Sequence, residues 1–459
     1  MKILICGAGM VGASIARHLA REGNEVTLID NNPEIIQSIN SALDVRAFHG
    51  HASHPAMLEK AGAYEADMLI AVTHSDEVNM VACQIGYSLF SIPTRIARVR
   101  DQNYLNPVWQ NLYSKDHMAI DFIISPEVEV AQTTLRRLHE PGTVDTIPFM
   151  NGHAKVIGMR CTEDCPFLKL PMPLVQQKTS HLNMRILGIT RDGTFKIPTN
   201  KTMLYEGDVL YFVAPPETVR AAVSAFGHQE RSAHRVIILG GGNIGFYLAN
   251  ALETEHAGEV RAKIIESNKA RAEIISMRLG TTTVLHGDAL NRDLMTEAGM
   301  ESAETVIAVT NDDETNIIGS LLAKRFGCDR AITLVNNASY APLLSNLGVD
   351  VVVNPRETTV SGILQHVRRG KICAVHTIAD GMAEIIEAEA MDTSSVVGRA
   401  IGELELPKGV VIAALFRHGI MSIPDNEEVI HAGDRVLILA NSETVRYVEK
   451  IFSVSLEYF

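Results

Sequence analysis

The sequence has few cysteines, no long hydrophobic run and no excess of positive charge, and each shortage excludes a class of protein. Six cysteines among 459 residues are too few for a scaffold held together by disulfides. Cys161 and Cys165 form one CxxxC pair, and no second pair completes a zinc site. The thiols are therefore predicted to be reduced, as in a cytoplasmic protein.

Membrane insertion and nucleic-acid binding are disfavoured on similar grounds. No apolar stretch reaches the roughly 18 residues of a transmembrane helix. Met1–Cys6 is apolar like a signal peptide, but the glycines, Arg17 and His18 that follow, with no cleavage site of small residues, indicate a buried strand instead. A formal net charge of -13 repels phosphates, so no nucleic-acid partner is expected.

The most informative feature present is an internal duplication with a long period. Two kinds of unit alternate in the order A1-B1-A2-B2, with sizes that suit separate small domains. The predicted domains are 1–125 and 232–355 for the A units, and 140–227 and 369–453 for the B units. The repeated segments are Gly7–Gly12 with Gly240–Gly245, Ile70–Thr73 with Ile307–Thr310, and Glu217–Arg220 with Glu443–Arg446.

Strand and helix patterns alternate in the A units. Met1–Cys6 and Glu25–Ile29 are predicted strands, and Ala13–Arg21 is a predicted helix. Such alternation predicts an α/β fold with two tandem Rossmann-like domains, each built on a doubly wound parallel sheet. The B units carry short runs of branched residues, such as Val410–Phe416 and Arg435–Ala440, and are predicted to be small α+β domains with antiparallel strands.

Two further helices are predicted directly after prolines that close the A units. They span about Glu127–Leu138 and Glu357–Arg368, after Pro126 and Pro355. We expect each to connect an A unit to a B unit and to form subunit contacts, because their placement is repeated.

The two glycine-rich loops are predicted to bind a dinucleotide. Each follows an apolar strand and precedes a helix, the setting in which glycines allow a tight turn, a close approach to a pyrophosphate and packing of helix on strand. The phosphates then lie at a helix N-terminus, where free N–H groups favour anions. The loop residues are Gly7, Ala8, Gly9, Met10, Val11 and Gly12, and Gly240, Gly241, Gly242, Asn243, Ile244 and Gly245.

An acidic residue ends the second predicted strand of each A unit. Asp30 and Glu266 lie about 20 residues after their loops, the distance expected of a carboxylate that binds the ribose hydroxyls. Because a carboxylate repels a 2′-phosphate, NAD(H) or an adenine nucleotide is favoured over NADP(H). Asp288 is assigned to the adenosine side of the second site, and His51 has the matching position in the first.

Further candidates lie at the carboxyl ends of the later strands, where ligands bind in such sheets. They are Thr73 and His74 in A1, and Thr310 and Asn311 in A2. In A1 alone, Arg98 and Arg100 are spaced to share one face of a strand and to place two cations at the phosphates.

The counterparts of the two arginines in A2 are Leu334 and Asn336, so A2 is predicted to bind a ligand with different demands. The alternative is that Arg98 and Arg100 pair with acids at a domain or subunit surface. Three nearby histidines, His49, His51 and His54, populate a loop, and no metal site is predicted from them.

Several segments resemble the TrkA-like family of bacterial proteins, which consists of potassium-conductance-regulating (RCK) domains. The similarity covers essentially the whole chain with the same A-B-A-B order. It is carried by Ser53–Pro55, Ala66–Thr73, Asn79–Gln84, Gly240–Gly245 and Ala308–Glu314.

The resemblance implies a function that the residue patterns alone do not reach. Proteins of this family form cytoplasmic rings, typically homotetramers, on the inner face of the cell inner membrane beneath a potassium channel subunit of the TrkH or TrkG type. They bind NAD(H) and adenine nucleotides such as ATP and ADP, and the identity of the ligand alters gating. The resemblance places Gly7–Val11, Asp30, Thr73, His74 and Arg98 in the first site, and Gly240–Ile244, Glu266, Thr310 and Asn311 in the second.

Two other functions remain open at this stage. An NAD-dependent dehydrogenase would need a catalytic domain that supplies an acid or base near the nicotinamide. The B units are small and duplicated and contain no obvious arrangement of this kind, which favours a regulator over an enzyme. A regulatory subunit of a different cation transporter is the second alternative.

Overall fold

The computed structural model describes four sheets in the order predicted from the sequence. Contacts divide the chain into a first unit, Met1–Glu129 with Arg356–Arg368, and a second unit, Val130–Pro355 with Arg369–Phe459. No helix among the described residues combines the length and apolar composition needed to cross a membrane. The structure describes residues 1–101, 103–229, 232–337, 339–340, 343–344, 347–364, 366–367, 372–379, 381–441 and 444–452.

The first sheet contains six parallel strands in the order β3-β2-β1-β4-β5-β6. Strand order reverses between β1 and β4, which creates the crevice where ligands bind in open α/β sheets. In chain order the elements are β1 (Lys2–Cys6), α1 (Met10–Arg21), β2 (Glu25–Asp30), α2 (Pro33–Ala42), β3 (Arg46–His49), α3 (Pro55–Lys60), β4 (Met68–Ala71), α4 (Asp76–Ser88), β5 (Thr94–Arg98), β6 (Phe122–Ile124) and α5 (Pro126–His139).

A smaller, antiparallel sheet follows, in the order β10-β9-β11-β8-β7. One face of this sheet is covered by α6 and α7, whose apolar residues share a core with its strands. The elements are β7 (Asp145–Phe149), β8 (Ala154–Arg160), α6 (Met172–Thr179), β9 (Arg185–Arg191), β10 (Thr194–Lys196), β11 (Val209–Ala214) and α7 (Pro216–Ala225).

The second half repeats both architectures. The parallel order β14-β13-β12-β15-β16-β17 matches the first sheet strand for strand, and the antiparallel order is β18-β19-β22-β20-β21. The elements are β12 (Arg235–Leu239), α8 (Asn243–Thr254), β13 (Arg261–Glu266), α9 (Lys269–Arg278), β14 (Thr283–His286), α10 (Arg292–Ala298), β15 (Thr305–Ala308), α11 (Asp313–Phe326), β16 (Arg330–Leu334), β17 (Val351–Val353), α12 (Pro355–Leu364), β18 (Ile372–Ile378), β19 (Ala383–Glu389), β20 (Val410–Arg417), β21 (Ile420–Ser422), β22 (Arg435–Asn441) and α13 (Val445–Phe452).

The predicted fold class, two Rossmann-like parallel sheets each followed by a small α+β domain, is therefore confirmed. Helix α1 begins at Met10, three residues earlier than predicted, because Gly9 is its N-cap and the Gly9 carbonyl accepts the first helical hydrogen bond from the Ala13 N–H. Glu443 of the repeated sequence, and 368–371 and 453 near the predicted boundaries, lie outside the described residues. The domain boundaries themselves stay predictions.

Both faces of each parallel sheet are buried, which explains why β1 is apolar throughout. Successive side chains of a strand point to opposite faces. Ile3 and Ile5 therefore pack in the core that contains α1 and α2, whereas Leu4 and Cys6 pack in the core that contains α3 and α4.

The helices α5 and α12 each contribute apolar residues to the core of the parallel sheet that does not immediately precede them in the sequence. Val130, Leu135 and Leu138 of α5 pack in a core with Ile238 and Ile264 of the second parallel sheet. In the first unit, Val360, Ile363 and Leu364 of α12 pack in a core with β1 and β4. Each helix was predicted as a connection between A and B, and each also completes the core of the opposite A repeat.

The two antiparallel sheets share one core within the second unit. Their apposed faces contribute Val156, Leu187 and Val213 from the first sheet and Ile385 and Leu439 from the second. Polar contacts cross the same junction. The Met150 N–H donates to Glu387 Oε2 at 2.8 Å, and Arg185 Nη1 donates to the Ile412 carbonyl at 2.7 Å.

His376 on β18, whose ring contacts Phe149 of the shared core, makes the stability of the chain depend on pH, and this can be tested. Burial lowers the pKa of His376 on β18 from 6.5 to about 4, against a smaller raising effect of Asp145, while Arg136 and Arg137 lower it further. His376 is therefore protonated near pH 6.5 in the unfolded chain but only near pH 4 in the folded chain. The contribution of neutral His376 to the free energy of unfolding is present at pH 7 and is lost as the pH falls. The loss is about 2 kcal/mol between pH 7 and pH 5.

The measurement is urea unfolding of the full chain at a series of pH values, for the unmodified protein and for His376→Gln. The glutamine variant should show a free energy of unfolding that falls less steeply between pH 7 and pH 5. Equal pH slopes in the two proteins would contradict the assignment to His376.

Candidate functional site

The first glycine loop is a tight turn that admits no side chain at two of its three glycines. Gly7 has φ +104°, and a Cβ there would lie 2.8 Å from the Thr73 nitrogen on the neighbouring strand end. A Cβ on Gly12 would lie 1.9 Å from the Gly7 carbonyl oxygen. These contacts press the first turn of α1 against the end of β1.

Gly9 is the exception, and it shows where a ligand would approach. A Cβ on Gly9 would meet nothing within 4 Å, although Gly9 is the N-cap of α1 and no side chain caps this helix. The N–H groups of the first helical turn have no partner within the helix. They lie at the end of β1, beside the strand-order reversal, which is where an anion binds in folds of this kind.

The second loop repeats each of these features. Gly240 has φ +101°, a Cβ on Gly245 would lie 2.0 Å from the Gly240 carbonyl oxygen, and a Cβ on Gly242 would meet nothing within 4 Å. Gly242 is the N-cap of α8, again with no side-chain cap. The duplication thus extends to the atomic arrangement of the loops.

The two acidic residues predicted to bind ribose hydroxyls also hold the loops in place. The Ala8 N–H donates to Asp30 Oδ2 at 2.6 Å, and the Asn32 N–H donates to Asp30 Oδ1 at 2.8 Å. Glu266 accepts equivalent hydrogen bonds from Gly241 and Asn268. Each carboxylate therefore lies beside the glycine turn at the end of the second strand, where a ribose is expected.

A buried asparagine joins the later strands at the same edge. Asn79 Oδ1 accepts from the Thr73 N–H at 2.8 Å, and Asn79 Nδ2 donates to the carbonyls of Thr73 and Arg98. Asn316 makes the same contacts with Thr310 and with the Leu334 carbonyl. These repeated bonds place Thr73 and Thr310 at the crevice, and they establish that Arg98 and Leu334 occupy equivalent positions.

Arg98 and Arg100 have different hydrogen-bond partners in the structure. Arg98 is 8% exposed and its Nη2 donates to the Thr73 carbonyl at 2.6 Å, so the guanidinium lies at the crevice. Burial lowers its pKa, with the charge of Arg100 adding to the effect. Arg100 lies beyond the end of β5, and its Nε donates to Glu127 Oε1 at 2.8 Å. Arg100 therefore has the acidic partner that the alternative interpretation required, whereas Arg98 remains beside the loop.

Buried Arg98 also has spare hydrogen-bonding capacity. Within the part of the chain that the structure describes, its Nε has no hydrogen-bond partner. A buried donor without a partner is costly, and an anionic oxygen would satisfy it.

The remaining predicted residues lie at the margins. His74 and Asn311 are exposed after β4 and β15, and Met10 is 65% exposed at the start of α1. His51 stacks on His54 at 4.8 Å between ring centroids, and its Nδ1 is 2.8 Å from Ser53 Oγ. Exposed Asp288 accepts from the Leu290 N–H at 2.8 Å. These contacts are internal to their loops.

The sequence analysis missed two arginines near the loops. Arg271 on α9 donates from Nε to the Gly241 carbonyl at 2.8 Å. Arg356 on α12 lies with Nη2 3.2 Å from Met10 Sδ in the first unit. Neither residue belongs to a sequence motif. The packing of α9 brings Arg271 to the second loop, and the packing of α12 brings Arg356 to the first. A position-by-position comparison of the two repeats would have singled out Arg271.

Comparisons with known proteins agree with this architecture. The TrkA-N domain matches residues 3–126 and 236–355, and the TrkA-C domain matches residues 162–227 and 385–453. The Trk system potassium uptake protein TrkA of Azorhizobium caulinodans is 48% identical over 459 residues, which is 100% of both chains. The protein of the same name from Halomonas elongata is 39% identical over 463 residues, again with 100% of both chains covered.

Solved structures share the fold at lower identity. The GsuK RCK domain superposes with a TM-score of 0.60 at 19% identity, and the alignment covers 98% of this chain and 94% of that chain. The GsuK channel bound to NAD gives a TM-score of 0.59 at 18% identity, with 98% and 78% covered. Because both domain types match twice in alternation, and relatives match over their whole length, the chain belongs to the TrkA family.

Proposed function

We propose that this chain is the nucleotide-sensing regulatory subunit of a potassium uptake system and is not an enzyme. It binds NAD(H), ADP or ATP at its two glycine loops and gates a membrane channel subunit of the TrkH or TrkG type. The observation that supports the proposal is the repeat of the glycine turn, with an open N-cap at Gly9 and again at Gly242, in a chain whose full-length relatives are Trk system proteins. The subunit acts as a homotetrameric ring on the cytoplasmic face of the inner membrane.

A regulator of this kind works through differential binding. A nucleotide moves the ring only if it binds one ring shape better than another. Arg98 is the group in the first site that senses phosphate charge, because its guanidinium is held at the crevice by the hydrogen bond to the Thr73 carbonyl. Coupling on the order of 1–3 kcal/mol per site, summed over a symmetric ring, is enough to shift a gate.

Calorimetric titration of the purified chain with NADH, NAD, ADP, ATP and NADPH tests the proposal. A sensor should bind the first four with differing affinities and NADPH weakly, because Asp30 and Glu266 disfavour a 2′-phosphate. Binding of NADH alone, with turnover of an added carbonyl compound, would support a dehydrogenase instead.

The open glycines provide variants that block one site at a time. Gly9→Asp and Gly242→Asp each place a carboxylate at a helix N-cap with φ -63° or -59°, which an aspartate adopts without strain. The carboxylate accepts the N–H groups that would otherwise bind phosphate, so nucleotide binding at that site should be lost. The melting temperature should be unchanged or slightly raised, because Asp is a preferred N-cap residue.

The control is Gly9→Ala, which adds a methyl group but no charge in the same open space. It should retain more affinity than Gly9→Asp. If Gly9→Asp bound nucleotides at both sites as the unmodified chain does, the loop would not be the phosphate site.

Arg98→Leu tests discrimination between ligands. Leucine occupies the equivalent position in the second repeat, where Leu334 is 4% exposed, so the fold accommodates it. The variant should lose the difference in affinity between ATP and ADP at the first site, because the charge-assisted bond to phosphate is removed. Titration of both nucleotides in the Gly242→Asp background isolates that site, and an unchanged ATP-to-ADP ratio would refute the role.

A further inference from the structure

Arg271 lies where a phosphate-binding cation would be needed in the second site. Its Nε donates to the Gly241 carbonyl at 2.8 Å, and its Nη2 lies 3.4 Å from Oδ1 of Asn243, the first residue of α8. The guanidinium is thus attached to the glycine turn and next to the helix N-terminus. This is the place where the fold binds a pyrophosphate.

The first site has no such residue at the equivalent position. The Asn32 side chain accepts from the Ile35 N–H, and the Asn268 side chain accepts from the Arg271 N–H. Both asparagines cap the helix that follows the second strand, so Ile35 and Arg271 correspond. Isoleucine provides no charge, whereas the first site has Arg98 where the second has Leu334.

The surroundings of Arg271 favour a ligand contact over a simple ion pair. Both carboxylate oxygens of the neighbouring Glu266 already accept backbone N–H groups at 2.6 and 2.7 Å. Burial lowers the pKa of Arg271, while the charge of Glu266 raises it. An arginine stays charged in proteins, and with Nε on a carbonyl its outer nitrogens are pre-oriented.

We propose that Arg271 binds the pyrophosphate in the second site and that it makes this site respond to the diphosphate common to NAD and ADP rather than to a third phosphate. In the second site the positive charge is supplied by Arg271 on helix α9, and in the first site it is supplied by Arg98 on strand β5. The two sites therefore differ in what they detect: the first distinguishes ATP from ADP, and the second does not. This inference rests on the proposed function, since it requires that nucleotides bind at the glycine loops.

The test is Arg271→Gln in the Gly9→Asp background, titrated with ADP, ATP and adenosine. Glutamine retains hydrogen-bonding groups but removes the charge. ADP and ATP should each bind about 10- to 100-fold more weakly than in the background protein, because a charge-assisted hydrogen bond to phosphate is removed. The affinity for adenosine, measured by displacement of ADP, should stay within a factor of about three, since adenosine has no phosphate.

The matched control is Arg278→Gln on the same helix. Arg278 is exposed, its guanidinium carbon lies 4.5 Å from the Phe246 ring centroid, and no hydrogen bond joins it to the glycine loop among the described residues. This variant should retain the ADP affinity of the background. Equal loss of ADP and adenosine binding in Arg271→Gln would indicate a residue that only holds the loop, and would overturn the proposal.

Two further outcomes separate this inference from the function on which it rests. If the unmodified chain binds no nucleotide, the proposed function itself fails. If it binds ADP but the Gly9→Asp background does not, or if the background distinguishes ATP from ADP strongly, then the proposed function survives and the assignment of Arg271 is wrong.

Discussion

The structure depends most on the contact between Gly12 and the Gly7 carbonyl, and on its repeat between Gly245 and Gly240. A Cβ at Gly12 or Gly245 would come within 2.0 Å of the carbonyl oxygen, so the helix reaches the strand end only because these residues are glycines. This approach places the free N–H groups of α1 and α8 at the strand-order reversal. The loop carboxylates Asp30 and Glu266, which bind the turns, add to the same constraint.

The duplicated scaffold carries sites that are not identical. Asn79 and Asn316 make the same hydrogen bonds in both repeats, so the framework of the crevice is held constant. The charged residues around the crevice differ between the repeats. Arg98 of the first repeat is equivalent in position to Leu334 of the second, and Ile35 of the first is equivalent to Arg271. The two crevices therefore share one hydrogen-bonded framework and carry arginines at different positions.

Each A repeat depends on a helix that follows the other A repeat to complete its core. Residues of α5 complete the core of the second parallel sheet, and residues of α12 complete that of the first. Neither A repeat buries its apolar face with its own sequence segment alone. The core of each parallel sheet is thus completed by a helix that follows the other A repeat in the sequence.

The sequence by itself determined the local elements and the loops, because strand periodicity, glycine spacing and acids at strand ends are short-range patterns. The apolar strand Met1–Cys6, the turns at Gly7 and Gly240, and the acids Asp30 and Glu266 were all predicted, and the structure places them at the two loops. Only the tertiary structure decided that Arg100 pairs with Glu127 while Arg98 stays at the crevice, and that Arg271 reaches Gly241. Those outcomes depend on which distant side chains packing brings within hydrogen-bonding distance, and no spacing in a sequence encodes that distance.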